Sequence, residues 1–164
     1  MIGTRPKLKP TLSQSDKIIE ALGWLALIIL WSLVLFSYSK LPETIAIHFD
    51  ASGNPDGYGD KITIFSLPII ASVLFLGLSY LNRFPHIFNY MNEINEDNAL
   101  QQYSIACRLI RMLKLCIVII FTMIVISTLN VLDKQWQWSL PLVVLGLTFF
   151  PVFYYLKKSN KKIK

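Results

Sequence analysis

The residues best suited to chemistry lie in one short stretch: His48, Asp50, Asp56 and Asp60, with Lys61 beside them. An imidazole among carboxylates can hold a divalent cation or act as an acid–base pair. Asp50-x-Ser52-x-Asn54 opens like a calcium loop. Its sixth position is Pro55 instead of glycine, and its twelfth is Lys61 instead of glutamate. The sharp turn and the bidentate ligand are both missing. Zinc would need more nitrogen or sulfur than one histidine with hard carboxylates supplies. The metal reading is set aside and no cofactor is expected. The simpler roles are structural: Asp56 organises a turn, Lys61 anchors at the headgroups and His48 makes a hydrogen bond. Recognition of a ligand or peptide by His48, Asp56 and Lys61 is the functional alternative.

Covalent chemistry finds no support. The chain has no G-x-S-x-G, no H-E-x-x-H and no phosphate-binding glycine loop. An enzyme is not expected. Cys107 and Cys116 belong to one predicted helix, roughly 13 Å apart at ~1.5 Å per residue, too far for a disulfide. They read as small apolar fillers. His86 falls in a different connection from His48, across the bilayer in the topology below.

These side chains must be carried by membrane-spanning elements. The chain has 164 residues, of which 54% are hydrophobic and 16% charged, with a formal net charge of +6. Four continuous apolar runs predict an all-α membrane protein of four transmembrane helices, with spans of about 18–38, 62–81, 109–132 and 136–156. A polar arm (1–16) precedes them and a basic tail (157–164) follows. The first run, rich in Trp and Leu, reads as a retained helix, not a cleaved signal peptide. Trp136, Trp138, Tyr154 and Tyr155 read as interfacial belts around the fourth span.

Lys and Arg concentrate in the arm, in the second connection with its flank (Arg83, Arg108, Arg111, Lys114) and in the tail. Only Lys40, Lys61 and Lys134 fall on the other side. Positive charge stays in the cytoplasm, so both termini are expected there, in the inner, cytoplasmic membrane of a bacterial cell. Anionic headgroups, not nucleic acid, are the partner this charge suggests. In the second connection, Asn95 suits a helix N-cap, with Glu96 and Asp97 in the first turn. The following segment reads as amphipathic, with Leu100, Tyr103, Cys107 and Ile110 on one face. Gln101, Ser104, Arg108 and Arg111 lie on another, its cations reaching the headgroups.

The first connection, residues 39–61, reads as a folded cap outside the membrane. Thr44 to Phe49 alternates like a strand, with Ile45, Ile47 and Phe49 on one side. Ala51 to Gly59 is dense in turn residues, and Pro55-Asp56-Gly57 suits a type I turn.

Leu41-Pro42, Ile45, His48-Phe49, Gly53, Asp56-Gly57 and Lys61 resemble the signature of a bacterial membrane family, domain of unknown function 1648. Asn98 to Tyr103, followed by Arg108, Arg111 and Lys114, is similar to the second connection of its single-domain members. The resemblance makes Pro42, Gly53 and Gly57 motif residues of the loop. Related proteins include the SdpI-type immunity proteins, which protect bacteria from a membrane-active toxin and signal its presence. The resemblance therefore implies a binding, sensing or immunity-type module that uses its outer loop, with a membrane-active peptide or membrane protein as partner. A small transporter or channel is the second class. It is disfavoured because the spans carry almost no ionisable residue away from their ends. A loop-based enzyme ranks third.

Overall fold

The computed structural model describes residues 5–129 and 139–159. Trp136 and Trp138 of the expected aromatic belt, and Lys134, Lys161, Lys162 and Lys164, lie outside the described residues. Among those described, four helices are long and apolar enough to cross a membrane. They are α1 (Gln14–Tyr38), α2 (Ser66–Leu81, which reaches spanning length together with the 3₁₀ turn that precedes it from Lys61), α3 (Ala99–Thr128) and α4 (Leu140–Ser159). Between α1 and α2 stand two strands, β1 (Thr44–Phe49) and β2 (Pro55–Asp60), and a 3₁₀ turn (Lys61–Phe65). The protein is thus a helical membrane protein with one small sheet, set in a lipid bilayer.

Local chemistry fixes the ends of these elements. Ser13 and Asp16 form a capping box at the start of α1. The Asp60 carboxylate accepts from the Ile62 N–H (2.8 Å) and starts the 3₁₀ turn. Pro68 falls in the first turn of α2, where a missing N–H costs least. The start of α3 differs from expectation. Asn95 and Asn98 bond each other's backbone N–H groups at 3.0 Å. That reciprocal pair closes a turn over Glu96 and Asp97, so Asn98, not Asn95, stands at the N-cap. Tyr155, expected at the interface, is buried.

α3 packs against all three other helices, and α4 packs chiefly on α3. The core joins Leu30 and Val34 of α1, Ala71 and Phe75 of α2, and Val118 and Val125 of α3. Ile45 and Ile64 close it at the hairpin end. The Trp31 indole donates to Ser72 Oγ (3.0 Å) and ties α1 to α2. At the far end, Arg5 donates to the carbonyls of His86 and Phe88, Tyr103 to the carbonyl of Pro6, and Asn92 to that of Ser159. The N-terminal arm, the second connection and the end of α4 therefore share one end of the bundle. The hairpin sits at the other, and His86 is across the bundle from His48.

Candidate functional site

The strand expected at Thr44–Phe49 is present, and its partner is the segment read as turns. β1 and β2 pair antiparallel, with Thr44 opposite Asp60, Ala46 opposite Tyr58 and His48 opposite Gly57. Asp56 and Gly57 therefore lie on a strand, not in a turn. The turn is Asp50 to Asn54. The Asp50 carboxylate accepts from the backbone N–H groups of Ser52 and Asn54, both at 2.8 Å. These bonds, that of Asn54 foremost, hold the Asp50 carboxyl below the usual carboxylate range. Gly53 takes φ 81°, which a side chain would resist. Gly57 is needed for a different reason: a Cβ there would stand 3.0 Å from His48 Cβ.

The register shifts on both sides of His48. This bulge breaks the expected alternation. Ile45 is buried, whereas Ile47 is 52% exposed. It also turns His48 outward, where His48 Nδ1 pairs with Asp56 Oδ1. The two side chains are 72% and 47% exposed. Lys61, expected to anchor at the headgroups, is engaged within the protein. Its Nζ pairs with Glu43 at 2.7 Å and lies over the Tyr38 ring at 5.5 Å. Pro42 stands between α1 and β1, beside this pair. Of the four candidate ligands, only His48 and Asp56 meet. Asp50 is occupied by its own turn and Asp60 by its cap. No group of three or more His, Cys, Asp or Glu side chains that could hold a metal gathers among the described residues.

Behind the hairpin is a groove of ≈ 400 Å³. Ile47 and Phe49 of β1 form one wall, Met123 and Ile124 of α3 the second, Pro141 and Val144 of α4 the third. His48, Asp50 and Gly53 edge it. Ser127 lines it too, 2% exposed, and its Oγ has no hydrogen-bond partner among the described residues. An orphaned buried hydroxyl costs about 1–3 kcal/mol.

Residues 25–71 match the family described as Domain of unknown function (DUF1648). The DUF1648 segment runs from α1 through the hairpin into the first turns of α2. It contains His48, Asp56, Lys61, Pro42, Gly53 and Gly57, and most of the core at the hairpin end. An "Uncharacterized protein" of Archaeoglobus fulgidus (strain ATCC 49558 / DSM 4304 / JCM 9628 / NBRC 100126 / VC-16) is 34% identical over 93 residues. The match covers 49% of this chain and 51% of that protein, so the chain spans about half the length of the curated relative it matches. No solved structure matches it.

Outside the DUF1648 segment stands a second constellation that sequence reasoning missed. Arg108 Nε donates to Asp16 Oδ1 at 2.7 Å and its Nη2 to Oδ2 at 3.1 Å, a bidentate pair. Its Nη1 donates to the Tyr154 hydroxyl at 3.0 Å, so Tyr154 links α4 to this pair instead of sitting free at an interface. Four residues after Asp16, Glu20 receives two cations: Lys114 Nζ at 2.6 Å and Arg111 Nε at 3.5 Å. Lys114 Nζ also donates to Ser79 Oγ (2.7 Å) and lies 4.3 Å from the centre of the Phe75 ring. All four helices meet in this clasp. Arg108 and Arg111, from the polar face expected to rest in the headgroups, are turned onto α1. Lys114 is 1% exposed, roughly 21 Å from the hairpin end of α3 at ~1.5 Å per residue. Glu20 stands at the end of the expected first span (18–38) and Lys114 five residues inside the third (109–132), so the near-absence of charge away from the span ends has Lys114 as its exception. The detectable signal was two acids at i, i+4 on α1 and three cations at i, i+3, i+6 on α3.

Proposed function

We propose that the protein is a non-enzymatic binding or sensing module whose outer hairpin recognises a membrane-active peptide or a membrane protein. The observation that carries this is the exposed His48–Asp56 pair. An exposed side-chain pair contributes little to stability, so its groups remain available to a ligand; Lys61, on the 3₁₀ turn at the base of the hairpin, is paired with Glu43. An immunity-type role in a bacterial inner membrane is the specific form the reading takes.

Its orientation follows from charge. At the hairpin end two cations (Lys40, Lys61) face four carboxylates (Glu43, Asp50, Asp56, Asp60), a net −2 among the described residues. At the other end ten cations face five carboxylates, a net +5. Positive charge stays inside, so the hairpin is outside and the termini are cytoplasmic.

The test is growth of a deletion strain under membrane-active peptides, complemented by variants whose membrane abundance is measured. A His48→Ala, Asp56→Ala double variant should lose protection at near-normal abundance. Full protection at normal abundance would remove these residues from the function. The Glu20–Lys114 pair favours one competing reading, a small transporter or channel, because charges inside a span often mark ion paths. An ion leak in proteoliposomes that Glu20→Gln abolishes would favour that reading.

A further inference from the structure

We infer that the groove behind the hairpin seats one acyl chain of an amine-headed phospholipid from the hairpin-side leaflet. This goes beyond what the outer rim recognises, and either claim can fail without the other.

Four observations converge. The first is depth. The groove is built from the last turns of α3 and the first of α4, where the ester groups of a phospholipid meet its hydrocarbon. The second is continuity. Pro141 and Val144, the α4 wall, lie within the apolar span Pro141–Ser159 and are only part-buried, so the groove opens onto the bilayer beside α4. The third is size. One turn of helix, a cylinder roughly 10 Å wide and 5.4 Å long, would fill ≈ 400 Å³ alone. A peptide helix could insert no more than that turn, whereas a flexible chain can thread the space. The fourth is Ser127, a buried hydroxyl without a partner in an otherwise apolar wall. An ester carbonyl is an acceptor that a phospholipid brings at this depth, and the Ser127 O–H would donate to it. The rim then selects the head. The Asp50 carboxylate, though bonded within its own turn, edges the groove, and the described charged residues at this end sum to −2. An ammonium headgroup is favoured there and an anionic one is not.

The experiment uses the full chain in nanodiscs of phosphatidylethanolamine, a fraction of it carrying a diazirine in the acyl chain. Photolabelled residues are mapped by mass spectrometry. Met123, Ile124 and Val144 should be labelled several-fold more than Val73 and Leu76, which face lipid on α2. Val144→Trp fills the groove and should return its label to the level of α2. Ser127→Ala keeps the shape, loses the donor and should lower the label in part. Phosphatidylglycerol with the same diazirine should label the groove less. Groove labelling equal to that of α2 in the unaltered protein, or unchanged by Val144→Trp, would overturn the inference. So would absent labelling with a disulfide formed between Val144→Cys and a cysteine placed in 130–138, which assigns the groove to the chain's own connection. Asp56→Ala, which breaks the pair with His48 but does not line the groove, should leave the acyl-chain label on Met123, Ile124 and Val144 in place, which separates this test from that of the recognition site.

Discussion

Glu20→Ala is expected to destabilise the protein by about 3–5 kcal/mol, the cost of stranding a buried charge. Glu20 is the common partner of Lys114 and Arg111, so its loss leaves two cations facing each other. Lys114 is 1% exposed and keeps only the Ser79 hydroxyl and the Phe75 ring face. The reverse change should cost less. In Lys114→Met, Glu20 retains Arg111, and its side chain is 31% exposed to lipid headgroups or water. The combined variant should lie closer to Lys114→Met than to Glu20→Ala, because removing both partners removes the stranded charge. Thermal unfolding of the three purified variants in one detergent gives the order. Equal losses in the two single variants would show that the clasp is not buried as described.

Phe75→Ala is the second large effect, about 3–5 kcal/mol, in the range for removing a buried aromatic ring. Phe75 is buried in the core, and its ring meets the Trp24 ring edge-on at 4.8 Å. It also forms the floor beneath Lys114. At the ring edge Gly23 lets α1 come close: a Cβ there would stand 2.9 Å from Phe75 Cε2. Gly23→Ala should therefore be destabilising alone and less so when Phe75 is replaced by Leu. The same unfolding assay measures this coupling. Additive effects of Gly23→Ala and Phe75→Leu would contradict the close approach.

How much of this could be read from residues alone follows from what each element depends on. The four spans were legible because a bilayer demands long apolar runs whatever their neighbours. β1 was legible because Thr44–Phe49 alternates. β2 was not, because PDGYGD is poor in strand formers and reads as turn. Its pairing is imposed by β1 and by glycines that permit close approach, and the turn belongs to Asp50, not Asp56. His48 and Asp56 are legible as members of one candidate cluster, but the bulge that pairs them with each other and not with Asp50 or Asp60 leaves no local signal. The clasp joins residues more than ninety positions apart. Each of its cations, taken singly, looks like a flank of the third span. The groove has no sequence signature, since its walls come from three elements and its one orphaned hydroxyl looks like any serine in a helix.

The central claim is that the hairpin faces outward while both ends of the chain face the cytoplasm. Single cysteines test it most directly, placed in a background without Cys107 and Cys116. Ser52, Lys9 and Lys158 are exposed and tolerate the change. In intact cells, a membrane-impermeant maleimide should label Ser52→Cys and leave Lys9→Cys and Lys158→Cys unlabelled until the membrane is permeabilised. Labelling of Lys158→Cys in intact cells, or protection of Ser52→Cys, would contradict the account.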